Sequence, residues 1–317
     1  MKLPDHWRPD ASIARLRARA RLLQDIREFF ARHNVLEVET PVISMAGNTD
    51  PQISSIRTRE GGYLRTSPEF ALKRLLSAGS GDIYELGRVF RAGESGRSHN
   101  PEFTLLEWYR TGFSHHQLMD EVASLIRFCG HGKFDQWHEE RLTYQQLFLR
   151  HLDIDPLTAD EQTLAQVASS HGITDIELNR RQWLDMLISL VIQPQLPREC
   201  LTFIHDYPAD QAALARVRDS TPVLAERFEL YIGPCELANG YQELTDPDEL
   251  QRRFEAENKQ RGKCGQPRIE LDTRLLAALR HGMPECAGVA LGVDRLLMTL
   301  CDVETIADVI AFPSSHA

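Results

Sequence analysis

The sequence predicts an α+β fold in which helices flank an antiparallel β-sheet. Strand patterns follow one another across short turns, and tight turns join antiparallel neighbours, whereas parallel strands need long crossovers. Amphipathic helix patterns stand between these groups of strands. The 317 residues contain no linker rich in Pro, Gly or Ser and no internal repeat. One domain spanning 1–317 is therefore expected.

The first two helices are predicted from their caps. Ser12 is a candidate N-cap of a helix whose apolar stripe runs to Phe30, and Asn34, which tolerates left-handed dihedrals, ends it. A short strand is expected at 35–38. The tripeptide Ser67-Pro68-Glu69 then has the N-cap, N1 and N2 chemistry of a helix that reaches about residue 78.

The middle of the chain carries the weakest patterns. Two strands are expected to flank the turn at 91–100, and the segment 130–200 is expected to be a helical insertion over the sheet. Further helices are predicted at roughly 115–129, 160–170, 182–192, 247–261 and 272–282, and further strands at roughly 200–205, 226–232 and 235–244.

Composition excludes several classes of protein. With 42% hydrophobic and 26% charged residues the chain is an ordinary soluble one, and its net charge of −10 argues against a broad nucleic-acid surface. No stretch approaches 18 apolar residues and the N-terminus has no apolar signal core, so no membrane partner is expected. The six cysteines form no C-x-x-C pair, which fits reduced thiols in the cytoplasm and argues against a structural zinc site.

The segment 89–110, VFRAGESGRSHNPEFTLLEWYR, is the most informative part of the chain. Strict alternation after the turn places an aromatic ring, a carboxylate and a phenol on one strand face, in a row of roughly 20 Å. Such a face could stack a base at Phe103 and hold an ammonium group at Glu107 and Tyr109, while Arg91 reaches phosphates between them. An edge hairpin with a solvated Glu107 explains this segment equally well.

A second segment, Gly288 to Arg295, favours a binding site. Small residues at every second position clear one strand face for close approach of a ligand, and a helix follows from Leu296. Arg295 stands at the junction of strand and helix. Two arginines that converge on one cleft are the usual solution for polyphosphate recognition.

These segments resemble motifs 2 and 3 of the class II aminoacyl-tRNA synthetases. The stretch 30–41 resembles motif 1, the helix and strand that form the dimer interface in that class, and so implies a homodimer. Three stretches are similar to the lysine enzymes in particular, namely TSPE at 66–69, HNPEFTLLEWY at 99–109 and ELANGYQELTD at 236–246. The similarity covers nearly the whole chain.

A lysyl-tRNA synthetase also carries an N-terminal β-barrel that reads the anticodon. Only about a dozen residues precede the first predicted helix here, too few for a domain. A catalytic domain without an anticodon-binding domain is therefore expected. That pattern is similar to truncated lysyl-tRNA synthetase paralogues, which attach (R)-β-lysine to a lysine side chain of translation elongation factor P.

The resemblance implies that a substrate carboxylate attacks the α-phosphate of ATP, giving an adenylate and pyrophosphate. The substrates supply the nucleophile, so the protein positions them and neutralises charge. Arg91 is expected at the α-phosphate, Arg295 at the γ-phosphate and Phe103 against the adenine. The implied ATP-binding set is Arg91, Ala92, Gly93, His99, Asn100, Phe103, Glu236, Leu237, Gly292 and Arg295.

Glu236 and Glu243 are the expected Mg²⁺ ligands, because carboxylate oxygens suit a hard cation. Seven residues apart on a regular strand they would face opposite sides, so a bulge or turn at Asn239-Gly240 is expected to return both to one cleft. Two solvated glutamates around a hairpin are the alternative. The implied binding set for a substrate with two ammonium groups is Ser67, Pro68, Glu69, Glu107, Tyr109, Glu243 and Ala290.

Two departures from the family pattern bear on function. Motif 2 usually has Glu two residues after its Arg, but Gly93 occupies that position here, and Glu94 can replace it only if the turn shifts by one residue. Lysine enzymes have Gly where Ala290 stands, and a methyl group at that place could shift the preference from α-lysine to β-lysine.

Three functions remain open from sequence. The leading hypothesis is an ATP-dependent ligase that acts on a lysine of elongation factor P, without stable tRNA binding. The second is a ligase that charges a tRNA without an anticodon domain. The third is a non-catalytic regulatory paralogue, for which Gly93 is evidence; the presence of both arginines and both carboxylates argues against it.

Overall fold

A computed structural model describes residues 7–316, and its regular elements alternate between short strands and helices. The strands are β1 (Leu36–Glu37), β2 (Ile43–Ser44), β3 (Tyr63–Leu64), β4 (Ile83–Phe90), β5 (Glu102–Thr111), β6 (His138–Thr143), β7 (Cys200–Pro208), β8 (Val217–Arg218), β9 (Leu224–Ile232), β10 (Cys235–Gln242) and β11 (Cys286–Gly292). The α-helices are α1 (Ile13–Arg32), α2 (Glu69–Ser77), α3 (His115–Gly130), α4 (Tyr144–Leu152), α5 (Glu161–Ser170), α6 (Arg180–Leu187), α7 (Pro247–Lys263), α8 (Thr273–Gly282) and α9 (Val293–Leu300).

One large sheet carries the fold, in the order β1-β4-β5-β11-β10-β9-β7-β6, with β8 beside β9. The pairs in the middle of this order are antiparallel, whereas β1 with β4 and β6 with β7, at the two edges, are parallel. The predicted α+β class with a mainly antiparallel sheet is confirmed. Sheet order, and not chain order, brings β5, β11 and β10 together at the centre.

The caps predicted from sequence form as expected at the first two helices. The Ser12 side chain accepts a hydrogen bond from the Arg15 amide, and Asn34 lies in the left-handed region with φ of 55°. Helix α2 begins at Glu69, whose amide donates to Ser67 Oγ at 2.9 Å. The side chain of Ser67 therefore caps the helix from two residues before its first residue, with Pro68 at the assigned N-cap position.

The segment 130–200 differs from the helical insertion that was expected. Helices α4, α5 and α6 do pack over β7 and β9, but 138–143 is the strand β6, which extends the main sheet parallel to β7. Its sequence, HEERLT, is polar and mostly half-buried at the sheet edge, so it lacks the apolar alternation that identifies a strand.

Helices cover both faces of the sheet. Helices α1, α3 and α9 pack on one face around Phe30, Trp108 and Leu296, and α2, α7 and α8 form a second core around Phe254 and Leu276. Within residues 7–316 no helix is both long enough and apolar enough to cross a membrane. The strand centre between these layers is where the polar residues of motifs 2 and 3 meet.

Candidate active site

Strands β5, β11 and β10 form one wall of a cavity of about 340 Å³. The register aligns Tyr109 with Gly288 and Glu107 with Ala290 across the β5–β11 pair. The cleared face of β11 is therefore directly beside the polar face of β5, as the alternation in both segments predicted. Helix α2 and the 91–100 turn contribute further lining residues.

Most residues expected at the site line this cavity. They are Ser67, Glu69, Arg91, His99, Asn100, Phe103, Glu107, Tyr109, Glu236, Leu237, Glu243, Ala290, Gly292 and Arg295. Three expected residues are not among the lining residues. Pro68 faces a neighbouring cavity at the start of α2, the Ala92 amide donates to the Ser54 carbonyl, and Gly93 forms the turn with φ of 79°.

The closed end of the cavity holds Glu107 in a fixed position. Its carboxylate is buried and accepts hydrogen bonds from Ser67 Oγ at 2.7 Å and from the Tyr109 hydroxyl at 2.6 Å. Burial, together with the charge of Glu69, raises the pKa of Glu107 to about 8. A cation that enters this end would therefore meet a carboxyl group that gives up its proton readily on binding.

Two more carboxylates face the same end and share one cation. Lys73 Nζ lies 2.6 Å from Glu69 Oε1 and 2.7 Å from Glu243 Oε2. Burial alone would lower the pKa of the Lys73 ammonium group, but the charges of Glu243 and Glu69 outweigh it and raise that pKa. Burial raises the pKa of Glu243 to about 7 in spite of the ion pair. We call Glu69, Glu107, Glu243, Tyr109 and Lys73 the amine end.

Gly288 makes this packing possible. A Cβ atom at this position would lie 2.3 Å from Glu243 Oε1 and 2.4 Å from a ring carbon of Tyr109. Both side chains are buried, so neither can move away easily. Glycine is needed here for close approach rather than for an unusual backbone conformation.

The opposite end of the cavity presents two guanidinium groups. Arg295 donates to the Glu236 carbonyl at 2.7 Å and to His99 Nε2 at 2.7 Å. Burial and the charge of Arg295 lower the pKa of His99, which keeps the imidazole neutral and able to accept this hydrogen bond. We call Arg91, His99, Glu236 and Arg295 the phosphate end.

Arg91 and its turn bear on the departure at Gly93. The guanidinium of Arg91 lies 3.6 Å from the Glu94 carboxylate and 5.1 Å from the centre of the Phe103 ring. Glu94 lines the cavity, whereas Gly93 does not. The carboxylate that motif 2 usually supplies is thus present one residue later, with Gly93 giving the turn its left-handed residue.

The expected pairing of Glu236 with Glu243 on one metal ion stays a prediction. A bulge does bring both to one cavity, but it lies at Leu237 and not at Asn239-Gly240. Along β10 the two residues are seven apart, roughly 20 Å at about 3.3 Å per residue, and Glu243 is already paired with Lys73. A metal ion that bound both would have to compete with Lys73 for Glu243.

The carboxylate that acts on Glu236 belongs to the neighbouring strand. Partial burial, and after it the charge of Glu229 on β9, raise the pKa of Glu236. Glu229 itself is buried beside the hydroxyl groups of Tyr207 and Tyr231. Its other partner is Arg227. Glu229 is thus already held by three protein groups, whereas Glu236 lines the cavity and offers the carboxylate oxygen that Mg²⁺ prefers.

Asp294 and Asn100 connect the segments 89–110 and 288–295 to each other and to residues near the chain termini. Asp294 accepts hydrogen bonds from the Thr104 amide at 2.7 Å and from Arg19 of α1 at 2.5 Å. Asn100 donates to the Glu102 carbonyl and accepts from the Ser314 amide. These contacts hold the 91–100 turn and the start of α9 in place beside the cavity.

Sequence reasoning missed several residues of the site. Among them are Lys73, Asp294, and two cavity-lining residues of β10, Asn239 and Tyr241. Alternation from Glu243 backwards along β10 would have found Tyr241 and Asn239, which share its face. The side-chain oxygen of Asn239 is buried without a hydrogen-bond partner among the described residues, so it is available to a ligand.

Comparison with known proteins agrees with this geometry. The family described as tRNA synthetases class II (D, K and N) matches residues 5–316. The chain is similar to proteins named elongation factor P–(R)-β-lysine ligase from Yersinia enterocolitica serotype O:8, at 48% identity, and from Proteus mirabilis, at 49%. A protein of that name from Yersinia pestis is 47% identical. Each alignment covers 98% of both chains.

Proposed function

Because the chain belongs to the class II tRNA synthetases of the aspartate, lysine and asparagine group, we propose that it is an ATP-dependent, AMP-forming ligase. It activates (R)-β-lysine as the adenylate and transfers it to a lysine side chain of elongation factor P. The observation that carries this proposal is the cavity itself, which has three carboxylates at the amine end and two guanidinium groups at the phosphate end. A diammonium carboxylate and a polyphosphate fit these two ends respectively.

The reaction follows from this arrangement. With its ammonium groups at Glu69, Glu107 and Glu243, the substrate directs its carboxylate towards the phosphate end. A carboxylate oxygen then attacks the α-phosphorus of ATP, and pyrophosphate leaves. In the second step the amine of the acceptor lysine attacks the acyl carbon, AMP leaves, and the amine nitrogen loses a proton.

The protein contributes position and charge to both steps. Arg91 and Arg295 neutralise phosphate oxygens with groups that cannot lose their protons at neutral pH. We assign Mg²⁺ binding to Glu236 at the phosphate end, where the ion would neutralise charge on the phosphates. Ser67 and Tyr109 hold Glu107 by hydrogen bonds, which limits the motion of the bound amine.

The mass of elongation factor P after the reaction tests whether it is the acceptor. Purified elongation factor P, incubated with ATP and (R)-β-lysine, should gain the mass of one β-lysyl group only when this protein is present. The support for this acceptor is the printed name of the relatives, which cover 98% of the chain. Unmodified elongation factor P beside a charged tRNA would replace the proposal with the tRNA ligase alternative.

We also propose a homodimer formed by motif 1. Four apolar side chains follow α1 and remain exposed, with Ile43 at 57% and Met45 at 69%, beside Leu36 and Val42. Exposed apolar residues of this density mark an interface, and a two-fold axis would bury the same patch on both copies. Sedimentation should give twice the chain mass of 36.1 kDa; a monomer at micromolar concentration would contradict this.

A further inference from the structure

Lys73 is the member of the amine end that does not line the cavity. It lies one helical turn after Glu69 on α2, and its side chain is 1% exposed. Its ammonium group bridges Glu69 of α2 and Glu243 at the end of β10. These two carboxylates come from separate elements, so Lys73 fixes the distance between two walls of the cavity.

The charges at this end do not balance within the protein. Once a bound ligand has displaced their protons, the three carboxylates carry three negative charges against one ammonium group, which leaves two negative charges at Glu69, Glu107 and Glu243. A lysine isomer brings two ammonium groups, and its carboxylate lies towards the arginines. Without Lys73 the same carboxylates would carry three negative charges, and close like charges favour uptake of a proton.

We propose that Lys73 is a positioning residue, which aligns Glu69 and Glu243 and sets the charge of the amine end to match a diammonium substrate. This inference rests on the proposed function for the substrate class. Stability alone is a weak reason for a buried ion pair, because replacing all its members by apolar side chains of similar volume often leaves a protein as stable or more stable. Both carboxylates line the cavity, so the ion pair positions groups that contact the substrate.

Several other titratable groups face this cluster and enter its proton balance. They are Tyr109 of β5, Tyr241 of β10 and Cys286 of β11, beside the three carboxylates themselves. Burial raises the pKa of each of these three groups, so they stay neutral at pH 7. Glu107 and Glu243 are therefore the groups whose protons binding displaces.

The test compares Lys73→Met with Lys73→Arg in ATP–pyrophosphate exchange. Lys73→Met should raise KM for β-lysine about tenfold at pH 7, while KM for ATP stays within about twofold. In this variant the decrease of KM for β-lysine with rising pH should occur at a higher pH than in the wild type. Lys73→Arg keeps the charge and should show a smaller rise. Lys133→Met is the matched control, since Lys133 pairs with Asp302 away from the cavity.

Calorimetry in two buffers of different ionisation enthalpy gives a second measure that does not depend on turnover. Binding of β-lysine to the Lys73→Met protein should release more protons than binding to the wild type. If Lys73→Met does not fold, the proton count of Lys73→Arg, expected at the wild-type value, decides the same question. A proton count in Lys73→Arg as high as that expected for Met would overturn the charge argument.

The outcomes separate this inference from the proposed function. Wild type that binds β-lysine but forms no adenylate would refute the ligase proposal and leave the charge match intact. Folded Lys73→Met with unchanged KM, pH profile and proton release would refute the role of Lys73 alone. Wild type that binds no diammonium ligand would overturn both.

Discussion

The two ends of the cavity are built in opposite ways. At the amine end every carboxylate already has a protein partner, and Glu107, Glu243 and Lys73 are buried. At the phosphate end the side chain of Glu236 is 40% exposed and that of Arg295 is 23% exposed. The amine end is thus formed before the substrate arrives, whereas the phosphate end remains open to solvent.

The difference follows from the chemistry of the groups. A buried carboxylate can take up a proton and lose its charge, so its neighbours must hold it ionised and in place. A guanidinium group keeps its charge in any setting, and phosphates supply strong charge of their own. Selection among amino acids should therefore depend on the amine end, and the rate of phosphoryl chemistry on the phosphate end.

The largest effect is expected from Gly288→Ala, which breaks the amine end alone. The new Cβ would overlap Glu243 and Tyr109, both buried, so the carboxylate must leave its position. Amino-acid-dependent exchange should fall about 100-fold, or about 2.7 kcal/mol, while ATP binding persists. Gly262→Ala is the control, because its Cβ would meet nothing within 4 Å. Equal exchange rates in the two variants would contradict the close approach.

The next effect is expected from Arg295→Ala, which breaks the phosphate end. Exchange should fall at least about tenfold, or about 1.4 kcal/mol, because the variant loses the positive charge that neutralises the phosphates and also loses the contact to His99. Arg198→Ala, at a side chain that is 78% exposed, should leave the rate within about twofold. Exchange that persists unchanged without Arg295 would remove the phosphate assignment.

A pH profile should separate the two ends without mutation. Burial raises the pKa of Glu243 to about 7 and that of Glu107 to about 8, so both are partly protonated and neutral near pH 7. An ammonium group needs the ionised form, and deprotonation occurs as pH rises. KM for the lysine isomer should therefore fall about tenfold from about pH 6.5 to about pH 8.5. A parallel fall in KM for ATP would show that the amine end is not the cause.

The smallest effect is expected from Ala290→Gly. Ala290 is paired with Glu107 across the strands, so its methyl group lies beside the carboxylate that holds an amine. Removing the methyl should shift the ratio of kcat/KM values from β-lysine towards α-lysine by about fivefold, the lower end of the range for one methyl. Equal ratios in both proteins would mean that Ala290 only packs the strand.

Local patterns predicted most of the fold. The caps at Ser12 and Ser67 and the left-handed Asn34 formed as expected, because cap chemistry involves only residues within a few positions. The alternation of faces along β5 also formed as expected, since the backbone of a strand points successive side chains to opposite faces. Strand β6 was missed because an edge strand with a polar sequence owes its pairing to β7.

The candidate site was predicted in part. Alternation and the small residues of β11 located the cavity, but the bulge at Leu237 was placed two to three residues too late. Asn239-Gly240 is a strong turn signal, yet Gly240 serves another purpose: a Cβ there would lie 2.4 Å from the Phe228 ring. A glycine that permits close packing and a glycine that permits a bulge look the same in a sequence.

By itself, the sequence determined which residues share a face, where helices begin, which segments carry arginine and which strand has small residues along one face. Those properties depend on neighbours within one or two turns. Only the tertiary structure decided that Lys73 joins Glu69 to Glu243 and that Glu236 has Glu229 as its acidic neighbour. An i,i+4 pair of Glu and Lys looks like a surface pair in sequence, and its burial depends on which strands the sheet order brings beside the helix.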